Sequence, residues 1–259
     1  MKIKNLLLLF AVIISALSFN GYQLYTKYYV EPRQAQTAAT VNNKSTKVQY
    51  KNKITEKEKS FETVDDDYFC DALFIGDSRM VGLSRYCEPI DTRATFYAKE
   101  SLTIYNIQND PWIEDENGEE KTLWDMLSTH EFKKIYIMVG INEIGTKTDV
   151  DYSCAYTDVI NRIMELEPEA MVFINSIMHV TKEKSDSDAL YNNTNIEIRN
   201  NAIKPLADNR HIFYININDY LDDETGSLNS EYTTDGVHLK GACYEPWHQA
   251  LLEHGVKID

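Results

Sequence analysis

Three short blocks, far apart in the chain, carry residue types that can cooperate in acyl transfer. The first is Gly76-Asp77-Ser78-Arg79, directly after the apolar run Ala72-Leu73-Phe74-Ile75. Ser78 therefore falls at a tight turn from a strand into a helix, with its hydroxyl accessible and its backbone N–H pointing outward at the helix N-terminus. The second block is Gly140-Ile141-Asn142-Glu143, which follows the run Ile135-Tyr136-Ile137-Met138-Val139. Gly140 lets the chain turn at the strand end, and the Asn142 amide is a good donor to a developing oxyanion. The third block is Thr234-Asp235-Gly236-Val237-His238-Leu239. Asp235 is spaced to reach the His238 imidazole, where a carboxylate selects the tautomer and supports the imidazolium formed on proton uptake. Each block alone has a plainer reading. Asp77 and Ser78 suit a helix N-cap, and Asn142 and Asp235 suit turns. The combination of a hydroxyl, an amide and an Asp–His pair, each at or after a strand, is more specific than its parts.

That combination resembles the SGNH hydrolases, also called GDSL-like esterases. Gly76-Asp77-Ser78 matches the first block of that family, with Arg79 where many members have Leu. Gly140-Ile141-Asn142 matches its Gly-x-Asn-Asp block, with Glu143 in the last place, and Asp235 to His238 matches its final Asp-x-x-His. The likeness spans residues 70–259, roughly. It implies a three-layer α/β/α sandwich with a five-stranded parallel sheet, flavodoxin-like. It also implies Ser78 as nucleophile, His238 as base and Asp235 as its supporting acid. The oxyanion donors would be the N–H groups of Ser78 and Ser101 and the side chain of Asn142. Ser101, in Ala98-Lys99-Glu100-Ser101-Leu102, stands where the family usually offers a Gly. Asp77 is expected to fix its own turn. Arg79, Glu143 and His179 are candidates for substrate contact. The expected activity is hydrolysis of acyl esters, foremost O-acetyl esters of cell-surface or extracellular carbohydrate. The alternatives are an acyltransferase of the same fold acting on a glycan and a non-catalytic surface binding module. Neither a metal nor an organic cofactor is implied.

The elements that must position these blocks are legible as alternating runs. Apolar stretches at 72–75, 94–97, 135–139, 171–174 and 212–215 suit strands of a parallel sheet buried on both faces. Between them, helices are expected over 79–86, 123–129, 152–166, 193–208 and 241–254. Such alternation gives an α/β sandwich, in which ligands bind at the carboxyl ends of the strands. His130, His211, His248 and His254 lack an Asp-x-x partner and are read as structural or surface residues, and Trp247 as packing.

Composition sets the wider frame. The 259 residues carry a formal charge of −15, which argues against a nucleic-acid partner. Four cysteines, none in a CxxC pair, argue against a thiolate zinc site and leave disulfides or free thiols open. After Lys2 and Lys4, residues 6–19 are almost wholly apolar, the pattern of a secretory signal or a retained membrane anchor, with the anchor favoured. Residues 31–66 are polar and read as a flexible linker. The expected organisation is therefore a signal or anchor over 1–30, a linker over 31–66 and a hydrolase domain over 67–259. That domain would lie outside the membrane, anchored or released, meeting an acylated small molecule or glycan.

Overall fold

A computed structural model describes residues 57–257, which belong to one compact unit. The expected leader and most of the expected linker lie outside the described residues. Among those described, no helix is long and apolar enough to cross a membrane.

Five strands form one sheet: β1 (Ala72–Gly76), β2 (Thr95–Ala98), β3 (Lys134–Met138), β4 (Met171–Asn175) and β5 (Ile212–Ile215). Their order is β2-β1-β3-β4-β5, and every pairing is parallel. The three central strands are buried along their whole length, as their continuous apolar runs require, whereas the two outer strands are only partly covered. Parallel neighbours cannot be joined by a tight hairpin. Successive strands are therefore joined by crossovers, and all carboxyl ends meet at one edge.

Four longer helices cover the sheet: α1 (Ser78–Tyr86), α2 (Asp149–Leu166), α3 (Asn193–Ile203) and α4 (Glu245–Glu253). The two-residue alternation of strand side chains divides the core. Leu73, Ile75, Ile135, Ile137, Val172 and Ile174 pack with residues of α2 and α3. Phe74, Tyr136, Phe173 and Phe213 pack with Met80 and Leu83 of α1 and Trp247 and Leu251 of α4. On this second face an aromatic ladder crosses all five strands. Its ring centroids are 5.0 Å apart for Phe96–Phe74, 4.5 Å for Phe74–Tyr136, 4.6 Å for Tyr136–Phe173 and 5.4 Å for Phe173–Phe213. These pairs sit in direct register, so the ladder fixes strand alignment as well as filling volume.

Where the elements differ from expectation, proline and capping account for it. The helix expected over 193–208 ends at Ile203 and passes into a short 3-10 turn, Lys204–Leu206. Pro205 cannot donate the backbone hydrogen bond that an α-helix would need there. The last helix starts at Glu245, because Pro246 favours a first helical turn, and residues 241–243 form a separate 3-10 turn. The helix expected from 152 begins at Asp149, where Thr148 and Asp151 form a capping box. A small ribbon, Ile113–Glu114 with Glu120–Lys121, was not legible in the sequence.

The end of the expected linker is also part of the domain. Backbone N–H groups of Lys59, Glu62 and Val64 donate to the carbonyls of Asn209, Gly255 and Leu252 at 2.7, 2.9 and 2.8 Å. Phe61 lies 4.6 Å from His254 and 5.9 Å from Phe213 (ring centroids), extending the aromatic row. His248 and Asp66 are joined at 2.6 Å. The folded unit thus begins before residue 67.

Because Phe173 is fully buried between two rings, Phe173→Ala should destabilise the domain by about 3–5 kcal/mol. Urea denaturation should show a lower midpoint with little change in slope; a change below about 1 kcal/mol would remove the ladder from the core energetics.

Candidate active site

The first loop is built for close approach. Gly76 ends β1 where a Cβ would press on the Met138 carbonyl at 2.7 Å and Met80 Cβ at 2.6 Å, so α1 can lie directly against the sheet. Asp77 caps α1: its Oδ1 accepts the Arg79 N–H at 3.0 Å. Ser78 follows as the first helical residue. Asp77 is buried, and burial raises its pKa, partly opposed by the neighbouring Arg79 charge.

The C-terminal loop meets it there. Ser78 Oγ is 3.0 Å from His238 Nε2, and His238 Nδ1 is 2.8 Å from Asp235 Oδ2. The other oxygen of Asp235 accepts the backbone N–H groups of Val237 and His238, each at 2.8 Å. Burial pushes the Asp235 pKa up, but these N–H donors and the imidazole outweigh it and hold the carboxyl far below its usual range. Asp235 therefore stays ionised, favours a proton on Nδ1 and leaves Nε2 to accept from a hydroxyl. The loop is tied at its base. Thr181 donates its backbone N–H to the Gly236 carbonyl at 3.0 Å, and Lys240 donates to the Tyr232 carbonyl at 2.8 Å.

Two further loops complete the edge. Ser101 adopts φ +61°, the left-handed conformation that the family's usual Gly takes without cost. Asn142 Nδ2 donates to the Leu102 carbonyl at 3.1 Å, binding the two loops together. An amide has two N–H groups, so one remains for an oxyanion. Gly140 has φ +149°, and a Cβ there would collide with Ile177 and with the Tyr152 hydroxyl. Ser78, Ser101, Asn142, Asp235 and His238 all line one cleft of about 720 Å³. A hydroxyl, an oriented imidazole and amide donors in one open cleft can transfer an acyl group.

The model of the GDSL-like Lipase/Acylhydrolase family matches residues 74–245. The chain belongs to this family. Among solved structures, it is similar to a Streptococcus pneumonia protein named for platelet activating factor, at 23% identity and TM-score 0.54, covering 86% of this chain and 97% of that one. It is also similar to a GDSL-like lipase from Bacteroides thetaiotaomicron, at 15% identity and TM-score 0.54, covering 79% and 94%. At these identities the likeness is one of fold. No curated protein matches the chain.

Within this GDSL-like domain the three candidate substrate contacts do not line the cleft. Arg79 is 2% exposed, and its Nη1 donates to the Met178 carbonyl at 2.8 Å. It buttresses the loop after β4. His179 is held between two carboxylates, Nδ1 at 2.7 Å from Asp222 and Nε2 at 2.7 Å from Glu197, leaving no ring nitrogen for a substrate. Burial lowers its pKa, but the two carboxylates prevail and raise it. Glu143 is fully buried and turned inward, where Oε1 accepts the Ile104 N–H. It thereby ties the Asn142 loop to the segment just after Ser101. Arg199 of α3 supports the same loop, donating to the carbonyls of Thr146 and Thr148 at 2.9 and 2.7 Å. Sequence reasoning missed Arg199, because nothing local in α3 signals a partner some fifty residues away. It also missed Arg85, Tyr86, Lys184, Tyr191 and Tyr244, which line the cleft. The position of Tyr86 at the far end of the Ser78 helix was the available signal. All four cysteines are free, and burial pushes the Cys87 thiol up to about 11.

Burial raises the Glu143 carboxyl to about 7, against the opposing Ile104 N–H. A raised folded-state pKa means that this contribution to stability is present below the ordinary glutamate value of 4.5 and is lost as pH rises toward 7. Glu143→Gln should therefore flatten the fall in urea midpoint between pH 4.5 and 7. An unchanged slope would mean that the carboxyl ionises normally.

Proposed function

We propose that this protein is a serine esterase that removes acyl groups, foremost acetyl, from carbohydrate hydroxyls. The observation that carries the esterase reading is the Ser78–His238–Asp235 chain, at 3.0 and 2.8 Å, in a cleft shared with Asn142 and Ser101.

In this reading the Ser78 hydroxyl gives its proton to His238 Nε2 while Oγ bonds to the ester carbonyl carbon. The carbonyl oxygen, now negative, is held by the N–H groups of Ser78 and Ser101 and by the Asn142 amide. The tetrahedral species collapses, the carbon–oxygen bond to the sugar breaks, and the leaving alkoxide takes the proton from His238. Water then attacks the acyl-serine, with His238 as base, and releases the acid. Asp235 stays ionised throughout and orients the ring.

Carbohydrate is favoured by the cleft's lining. Arg85, Glu100 and Lys184 line it together with Tyr86, Tyr191 and Tyr244, beside four aliphatic residues, Val81, Ile141, Val237 and Leu239. A long acyl chain needs a continuous apolar channel. Sugars need polar edges and flat faces. The apolar N-terminal run after Lys2 and Lys4 supports an exported, membrane-tethered enzyme that meets such substrates outside.

Ser78→Ala should lower kcat on an aryl acetate by about 10⁴–10⁶, and Asn142→Ala by about 10²–10³. A fluorophosphonate probe should label Ser78 and no other residue. A folded Ser78→Ala variant with wild-type turnover would remove the nucleophile assignment, and transfer of acetyl to added sugar in preference to water would make the enzyme a transferase.

A further inference from the structure

Tyr86 is the most conspicuous side chain that the reaction scheme leaves unused. It lines the same cleft as Ser78, yet 56% of it is exposed. Large apolar side chains this open are normally mobile, but this ring is braced. It stacks on Tyr244 with centroids 5.7 Å apart and planes at 27°. Tyr244 in turn stacks on Trp247 at 6.3 Å and 19°, and Trp247 is fully buried. Two glycines make the row possible. At Gly241 a Cβ would press on the Tyr86 ring at 2.7 Å, and at Gly82 any Cβ would collide with the Tyr244 hydroxyl. The row therefore runs from the core to the rim and holds the outermost ring in a fixed pose.

The geometry points to Tyr86 as an outer sugar-binding platform, on which a ring of the glycan stacks at a distance from the ester; this rests on the esterase reading above. Ser78 and Tyr86 open and close the same helix, α1. Eight positions along a helix correspond to a rise of roughly 12 Å between the two backbones, which sets the platform apart from the sugar that carries the acyl group. The platform therefore serves an oligosaccharide and is idle with a monosaccharide or an aryl ester. Arg85, next to it in the cleft, makes no hydrogen bond or ion pair among the described residues. Its planar fork of donors suits the hydroxyl edge of a sugar whose C–H face rests on the tyrosine. A rigid aromatic face also costs little ordering entropy on binding, which is what a recognition surface requires.

The test compares kcat/KM on 4-nitrophenyl acetate, an O-acetylated monosaccharide and O-acetylated β-1,4-linked tetrasaccharides of xylose and of N-acetylglucosamine, for wild type, Tyr86→Ala and Tyr86→Phe. The ratio of tetrasaccharide to aryl-acetate kcat/KM should fall about three- to tenfold in Tyr86→Ala, through KM rather than kcat. Tyr86→Phe, which keeps the ring, should restore it, and the monosaccharide ratio should not move. If wild type cleaves the tetrasaccharides and Tyr86→Ala leaves the ratio intact, the platform is overturned while the carbohydrate reading stands. A loss shared equally by all substrates would make Tyr86 a structural residue only, also overturning the proposal. Wild-type activity on the aryl ester with none on either tetrasaccharide would remove the carbohydrate reading and the platform together. A drop confined to 4-nitrophenyl laurate, assayed alongside, would place the acyl chain on the ring instead and overturn the platform.

Discussion

The arrangement of this domain depends on a sheet whose five strands all run the same way and are covered on both faces. Parallel strands need crossovers, and crossovers need helices, so every strand delivers its carboxyl end to one edge. The residues at that edge come from loops separated by as many as 160 positions, as with Ser78 and His238. They meet because the sheet leaves them no other place to go. The aromatic ladder from Phe96 to Phe213 holds the strands in register. A slip of one residue would turn each of those rings to the opposite face and carry the loops out of alignment.

The edge itself is a set of carboxyl groups whose proton affinities are pushed in opposite directions by their surroundings. Asp235 is half exposed but ringed by donors, and it stays ionised. Asp77 and Glu143 are buried and pushed the other way. Only Asp235 contacts the imidazole. The two buried groups hold backbone instead, Asp77 at the start of α1 and Glu143 at Ile104. Fixing a loop from beneath in this way leaves its upper surface free for a substrate. It also explains how Ser101 can keep a left-handed backbone: with Asn142 on Leu102 and Glu143 on Ile104, the segment is restrained on its C-terminal side.

The histidines illustrate how much depends on neighbours rather than residue type. His238 has one carboxylate on one nitrogen, so the other nitrogen faces the Ser78 hydroxyl. His179 has a carboxylate on each nitrogen and becomes a bridge between α3 and the segment after β5. His248 fastens α4 to Asp66 in the segment that precedes β1. Only the first arrangement leaves an imidazole able to exchange a proton with a cleft.

The sequence by itself determined the strands, the order of the blocks and the Asp235–His238 contact, because each rests on local spacing: a run of apolar residues, a Gly at a strand end, three positions between acid and base. It also carried the family likeness through Gly76-Asp77-Ser78 and Asp235 to His238. Only the tertiary structure decided which way the neighbouring side chains point. Arg79 and Glu143 sit beside the key residues in sequence, yet a helix and a turn rotate them inward, to Met178 and Ile104. Tyr86 and Arg199 are remote in sequence and gain their roles from contacts across the fold. Local spacing fixes backbone conformation and near-neighbour hydrogen bonds. The direction of a side chain at a loop edge is set by what packs against it, and that is not written in the residues on either side.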